Sequence, residues 1–132
     1  MTQLRYAIVD VFAEAPLQGN PAAIVFDADA LDGARMQAIA REFNLSETAF
    51  ILKPQDAAHT AHVRLFTPGS EVPFAGHPNI GAAFALANDR PLKTDDLVFE
   101  EKAGLVPLRL DRVGDNIVGA SLTAAQSHST RE

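Results

Sequence analysis

The 132-residue sequence contains no cysteine. That excludes disulfides, thiolate metal sites and any cysteine nucleophile or acid/base pair, and it accords with a reducing compartment. Basic residues are few, 11 Lys and Arg against 17 Asp and Glu, leaving a net charge of −6. They form no cluster of the kind that phosphate contacts require, so no nucleic-acid partner is expected. A small anionic substrate stays open, because local backbone donors can outweigh net charge. No apolar run approaches the roughly 20 residues of a membrane-spanning helix. The opening Met1-Thr2-Gln3-Leu4-Arg5-Tyr6 lacks the apolar stretch of a signal peptide. The expectation is a cytoplasmic protein with no membrane partner. HExxH, P-loop, GxGxxG and Gly-x-Ser-x-Gly patterns are all missing. His59 and His62 fall in a segment read as extended, where their odd spacing places them on opposite faces and argues against a shared metal.

The composition, 47% hydrophobic and 21% charged, is that of a chain that folds, since disorder requires low hydrophobicity and high net charge. The length suits one compact domain, expected over residues 1–123 with a polar tail at 124–132. Residues 4–12 are almost continuously apolar and read as a strand buried on both faces, with Asp10 at its end facing a turn. A Pro- and Gly-rich turn leads to a second strand over 22–26.

A helix follows. Asp32 is its predicted N-cap, Leu31 and Met36 occupy the positions of a hydrophobic staple, and Met36, Ile39, Ala40 and Phe43 form one apolar face. Asn44 suits a left-handed stop. Strands are predicted over 48–52 and 61–66, then a turn at Thr67-Pro68-Gly69-Ser70 and an extended piece over 71–74. A second helix is predicted to begin near Pro78 with His77 as N-cap. Its segment from Ile80 to Ala87 is apolar all round, so sheet should wrap it on every side. The remainder reads as strands over 96–101, 105–111 and 116–122, with Val106, Leu108 and Leu110 on one face and Pro107 marking an edge position.

Two segments could carry chemistry. In Phe74-Ala75-Gly76-His77-Pro78 a turn feeds a buried helix, whose first N–H groups and dipole suit a carboxylate or phosphate. Taken locally, a turn glycine at Gly76 and a cap at His77 are slightly the better reading. In Asn44-Leu45-Ser46-Glu47-Thr48, Glu47 lies between an amphipathic helix and an apolar strand, where partial burial would suit general acid/base work. Taken locally, the solvated loop carboxylate is the better reading of Glu47.

In combination, Val9-Asp10-Val11-Phe12, Gly19-Asn20-Pro21, the run from Ala38 to Thr48 and Phe74-Ala75-Gly76-His77-Pro78 resemble the N-terminal half of the PhzF-like isomerase and epimerase family. The resemblance implies an α+β fold of the diaminopimelate-epimerase-like kind, in which a curved mixed sheet wraps a central buried helix. It implies that Glu47 is the general acid/base moving a proton on a small carboxylate-bearing substrate. Gly76 and His77 would help hold that substrate, Ser46 and Asn20 would line the site, and neither metal nor organic cofactor would be used. Related epimerases use two cysteines; Ala75 stands where the first would be, leaving a carboxylate-based shuttle. The family's second half, across the cleft, is not in this sequence. The expectations are a fragment, a truncated product, or a homodimer in which two copies face each other. A non-catalytic carboxylate-binding or assembly half-domain is the alternative.

Overall fold

The computed structural model describes residues 4–11, 20–92 and 94–122, apart from the side chains of Asp10, Val11, Asn20 and His77. The predicted tail at 124–132 and the turn around Gly19 lie outside the described residues. Strands β1 (Arg5–Val11), β2 (Asn20–Phe26), β3 (Glu47–Leu52), β4 (Ala61–Phe66), β5 (Glu71–Val72), β6 (Asp96–Glu101), β7 (Gly104–Val113) and β8 (Asn116–Leu122) surround helix α2 (Gly76–Asp89), while helix α1 (Gly33–Phe43) lies outside them. They form one mixed sheet in the order β1-β2-β3-β4-β6-β7-β8. The β2–β3 and β4–β6 pairs are parallel and the others antiparallel. Short β5 pairs with the end of β4, so β5 and β6 follow one another along the same β4 edge.

The sheet curls because both of its outer strands, β1 and β8, reach α2. Gly81, Ala82, Ala83 and Ala85 are buried on α2 and let the backbones approach closely. They pack with Leu86 against Ala22 and Ile24 of β2, Ala49 and Ile51 of β3, Val63 and Leu65 of β4, Leu97 and Phe99 of β6, and the Val106-Leu108-Leu110 face of β7. Each large side chain buried here contributes about 1.5–3 kcal/mol before conformational entropy is counted. The helix that is apolar all round is thus wrapped, as its sequence required.

The opposite face of the sheet carries α1. Met36 and Ala40 pack with Val25, Phe50 and Phe66, and Ile39 and Phe43 border the same cluster. Phe50 meets Phe66 edge-on at 5.3 Å between ring centroids. The predicted caps form: the Asp32 carboxylate accepts from the Arg35 N–H at 2.8 Å, and Asn44 turns left-handed with φ 54°.

Three expectations need correction. β1 is an edge strand, with β2 its sheet neighbour; Ala7 and Val9 pack inward, but Tyr6 and Ile8 are exposed. A continuous apolar run did not mean burial on both faces, because Tyr6 and Ile8 lie on the outer side of an edge strand, Tyr6 against Phe43. β7 is internal, between β6 and β8. Pro107 pairs with Val98 of β6, and β8 runs beside β7 from Leu108↔Leu122 onward among the described residues. Finally, α2 begins at Gly76 with Ala75 as N-cap, so His77 is its second residue and not its cap. Pro78 therefore sits at the third helical position, still within the first turn, where its missing N–H has no partner to lose.

Candidate active site

β3 begins directly after α1, and its alternation decides where Glu47 points. Ala49 and Ile51 face α2, whereas Phe50 and Leu52 face α1. Glu47 shares the parity of Ala49 and Ile51, so it lies on the α2 side of the sheet, half-buried. Thr48, of the other parity, is fully buried on the α1 side. Ser46 is exposed immediately before the strand.

The parallel register Ala22↔Glu47 puts Glu47 beside the start of β2, and the backbone of Asn20 lies two residues upstream at the same end of the sheet. α2 runs away from that end. Arg90, just past its last residue, reaches Asp27 beyond the far end of β2, and Leu86 and Arg90 border a cavity with Pro54, Thr60 and Ala61. The N-terminus of α2, with Gly76 and His77 in its first turn, is therefore directed toward the Glu47 end. No described side chain caps it, so its leading N–H groups remain available to an anion. The fold thus brings Glu47, Ser46 and the backbones of Asn20, Gly76 and His77 to one end of the barrel-like sheet. The side chains of Asn20 and His77 lie outside the described residues.

A second carboxyl group stands at this end, and it was missed in the sequence. Glu101 is the last residue of β6 and shares the inward face of Leu97 and Phe99. The β6–β7 turn abuts the lead-in to α2, where the Ala103 N–H donates to the Pro73 carbonyl at 3.4 Å. Glu101 thereby meets the fully buried Asn79 of the first α2 turn, whose Nδ2 donates to Glu101 Oε1 at 3.1 Å. Burial pushes the Glu101 carboxyl up to about 7, with the Asn79 donor opposing the shift in part. The alternation Leu97, Phe99, Glu101 was the available signal, since it sets a carboxyl on a core-facing strand position.

Neighbouring charges are engaged elsewhere. Glu71 of β5 accepts from Arg64 at 2.9 Å and from Lys102 at 3.1 Å. Glu100 takes two backbone N–H groups, from Gln55 and Asp56, and contacts His59 Nδ1 at 2.6 Å. Those bonds hold its carboxyl down at about 2. His59 precedes β4 in a turn instead of continuing the strand. Among the described residues no helix is long and apolar enough to cross a membrane.

The comparisons agree with this architecture. A family model for phenazine biosynthesis-like proteins matches residues 9–129. The trans-2,3-dihydro-3-hydroxyanthranilate isomerase of Pseudomonas aeruginosa is 48% identical over 118 residues, covering 89% of this chain and 41% of that protein. The chain thus spans about two-fifths of the length of that isomerase and of its Pseudomonas chlororaphis counterpart. A PhzF-family phenazine biosynthesis protein of Enterococcus faecalis superposes with a TM-score of 0.74 at 38% identity, over 83% of this chain and 41% of that one. A hydroxyproline epimerase of Agrobacterium vitis shares the fold at 17% identity, with a TM-score of 0.64 over 91% of this chain and 41% of that one. With a curved mixed sheet around a buried helix and a match spanning most of its length, the chain belongs to the phenazine biosynthesis-like (PhzF) family.

Proposed function

We propose that this chain forms one wall of the active site of a cofactor-independent isomerase or epimerase that moves a proton between carbons of a small carboxylate-bearing substrate. Glu47 is the general acid/base in this reading. The observation that carries it is the position of Glu47: half-buried, on the α2 side of the sheet, at the end toward which the first turn of α2, capped by no described side chain, is directed. A carboxylate in that setting can exchange a proton with a bound carbon acid. The backbone N–H groups of Gly76 and His77 meet the substrate carboxylate at the positive end of the helix dipole. Ser46 and Asn20 line the same end of the sheet.

The relative named for trans-2,3-dihydro-3-hydroxyanthranilate supplies the first substrate to test. The opposite wall comes from a second copy in a homodimer, which would supply polar groups facing Glu47 across a two-fold cleft. Transfer of deuterium from solvent into trans-2,3-dihydro-3-hydroxyanthranilate should occur with the chain and fall at least about 100-fold in Glu47→Gln, the usual scale of acid/base assistance. Equal incorporation by the two proteins would remove Glu47 from the role. Sedimentation of the active species as a monomer would remove the second copy.

A further inference from the structure

The contact between α2 and the β6–β7 turn leaves two polar atoms without partners among the described residues. They are Asn79 Oδ1 and Glu101 Oε2, both buried. Their companions on the same two side chains, Asn79 Nδ2 and Glu101 Oε1, are already hydrogen-bonded at 3.1 Å. A buried acceptor without a donor loses its hydration and gains nothing in return, so two on one contact pair require an explanation. Two acceptor oxygens cannot satisfy each other. One proton placed on Oε2 makes it a donor, and the amide oxygen is then its natural acceptor.

We infer that Glu101 is a neutral carboxylic acid that closes a two-point acid–amide ring with Asn79, making it a positioning residue that fastens the first turn of α2 to the β6–β7 hairpin. In the ring, Asn79 Nδ2 donates to Oε1 and the Glu101 hydroxyl donates to Asn79 Oδ1, so all four polar atoms are satisfied. The first turn so fastened also contains Gly76 and His77. The bearing of the ring on catalysis therefore rests on the proposed reading of that turn as the carboxylate site.

The charged groups of the surrounding elements leave Glu101 to its amide partner. On β4, His62 and Arg64 alternate with the inward Val63 and Leu65, and Arg64 binds Glu71. On the hairpin, Lys102 also binds Glu71. On β7, Arg109 binds Asp96, and on β6, Glu100 binds His59. On β3, Glu47 begins a strand that is two strands away in the sheet order. The His77 side chain of α2 lies outside the described residues. The elevated titration of Glu101, to about 7, has burial as its leading cause.

The test is a pH titration by nuclear magnetic resonance of the chain carrying carbon-13 at glutamate carboxyls and nitrogen-15 throughout. One glutamate should remain protonated far above the ordinary carboxyl range and lose its proton near pH 7. The side-chain amide of Asn79 should shift with the same midpoint, and the outlying carboxyl should vanish in Glu101→Gln. Protection from hydrogen exchange of the Ile80, Gly81 and Ala82 amides, which bond back to the carbonyls of the first turn of α2, should fall as pH rises between 4.5 and about 7. The steepest part of that fall should approach about tenfold per pH unit, and the curve should level above the midpoint. Glu101→Gln, which keeps a neutral two-point pair, should flatten it. Ordinary titration of every glutamate overturns the inference, and so does an Asn79 amide indifferent to the midpoint. Neither result depends on turnover, so failure of the proton-transfer reading would register separately, in the Glu47→Gln comparison.

Discussion

The guanidinium of Arg64 lies against the carboxylate of Glu71 as a two-point pair, Nε to Oε2 and Nη2 to Oε1, both at 2.9 Å. This pair fastens β5 to β4, and Lys102 adds a third contact from the β6–β7 turn. The Glu71 side chain is only 14% exposed, so the pair is worth more than an ordinary surface bridge. It also fixes the short segment from which α2 departs, and hence where the helix N-terminus begins.

Replacing Glu71 by Gln should therefore cost about 1–3 kcal/mol in urea unfolding, as it leaves a shielded Arg64 without its counter-charge. The pair has a definite pH signature. The Arg64 bond is the largest cause holding the Glu71 carboxyl below its usual 4.5. A depressed acid contributes stability that is present above 4.5 and lost as pH falls through the folded value. Unfolding measured from pH 6 downward should show a steeper acid loss in the wild type than in Glu71→Gln.

Glu101 has the opposite sign. Its folded value is raised from 4.5 to about 7, so its contribution is complete below 4.5 and is lost as pH rises to about 7. The loss should be on the order of 2 kcal/mol, after discounting the raw shift for the part of the side chain that solvent still reaches. Glu101→Gln should remove this slope while unfolding as cooperatively as the wild type. Thermal unfolding of both proteins at pH 5, 6, 7 and 8 checks the sign, because a difference that grows toward acid pH in the variant's favour contradicts it.

The N-cap of α1 offers a local test. Asp32→Ala removes the acceptor for the Arg35 N–H and should cost about 1 kcal/mol. Asn44→Gly keeps the left-handed stop and should change stability little, whereas Asn44→Val forces a β-branched residue to φ 54° and should cost about 1–2 kcal/mol. Urea midpoints that rank the two Asn44 variants the other way would show that the stop is not held by backbone conformation.

These caps were legible in the sequence because capping is local: Asp32, Leu31, Met36 and Asn44 lie within about four helical turns of one another. The wrapping of α2 was legible for a similar reason, since the run from Ile80 to Ala87 has no polar face to give to solvent. What failed depended on neighbours distant in the chain. Whether residues 4–12 are buried on both faces depends on what lies outside β1, and the internal position of Pro107 depends on β8 returning beside β7. Pro78 alone points to His77 as the cap, whereas the helix starts two residues before Pro78, at Gly76. Family resemblance singles out Glu47 and does not extend to Glu101. That carboxyl belongs to a strand whose alternation could be read, yet its partner Asn79 is 22 residues away and becomes its neighbour only through the β6–β7 turn.

Gly76 separates folding from ligand binding. Its backbone does not take the positive φ that excludes other residues, and among the described residues a β-carbon there would meet only Leu122 Cδ1, at an ordinary 3.8 Å. Neither conformation nor packing therefore demands glycine at the first position of α2. Gly76→Ala should leave urea stability within about 0.5 kcal/mol of the wild type, since alanine is the better helix residue and the new methyl fits. If the first turn closes directly on a substrate carboxylate, the same methyl intrudes between the N–H groups and the anion. Affinity for 3-hydroxyanthranilate, a stable aromatic probe of the proposed substrate class, should then fall about tenfold or more, equivalent to about 1.4 kcal/mol. Calorimetry with the two proteins at equal concentration reads this directly. Unchanged binding with unchanged stability would mean that the anion does not approach the backbone at Gly76, and the carboxylate would have to be placed elsewhere along the Glu47 end of the sheet.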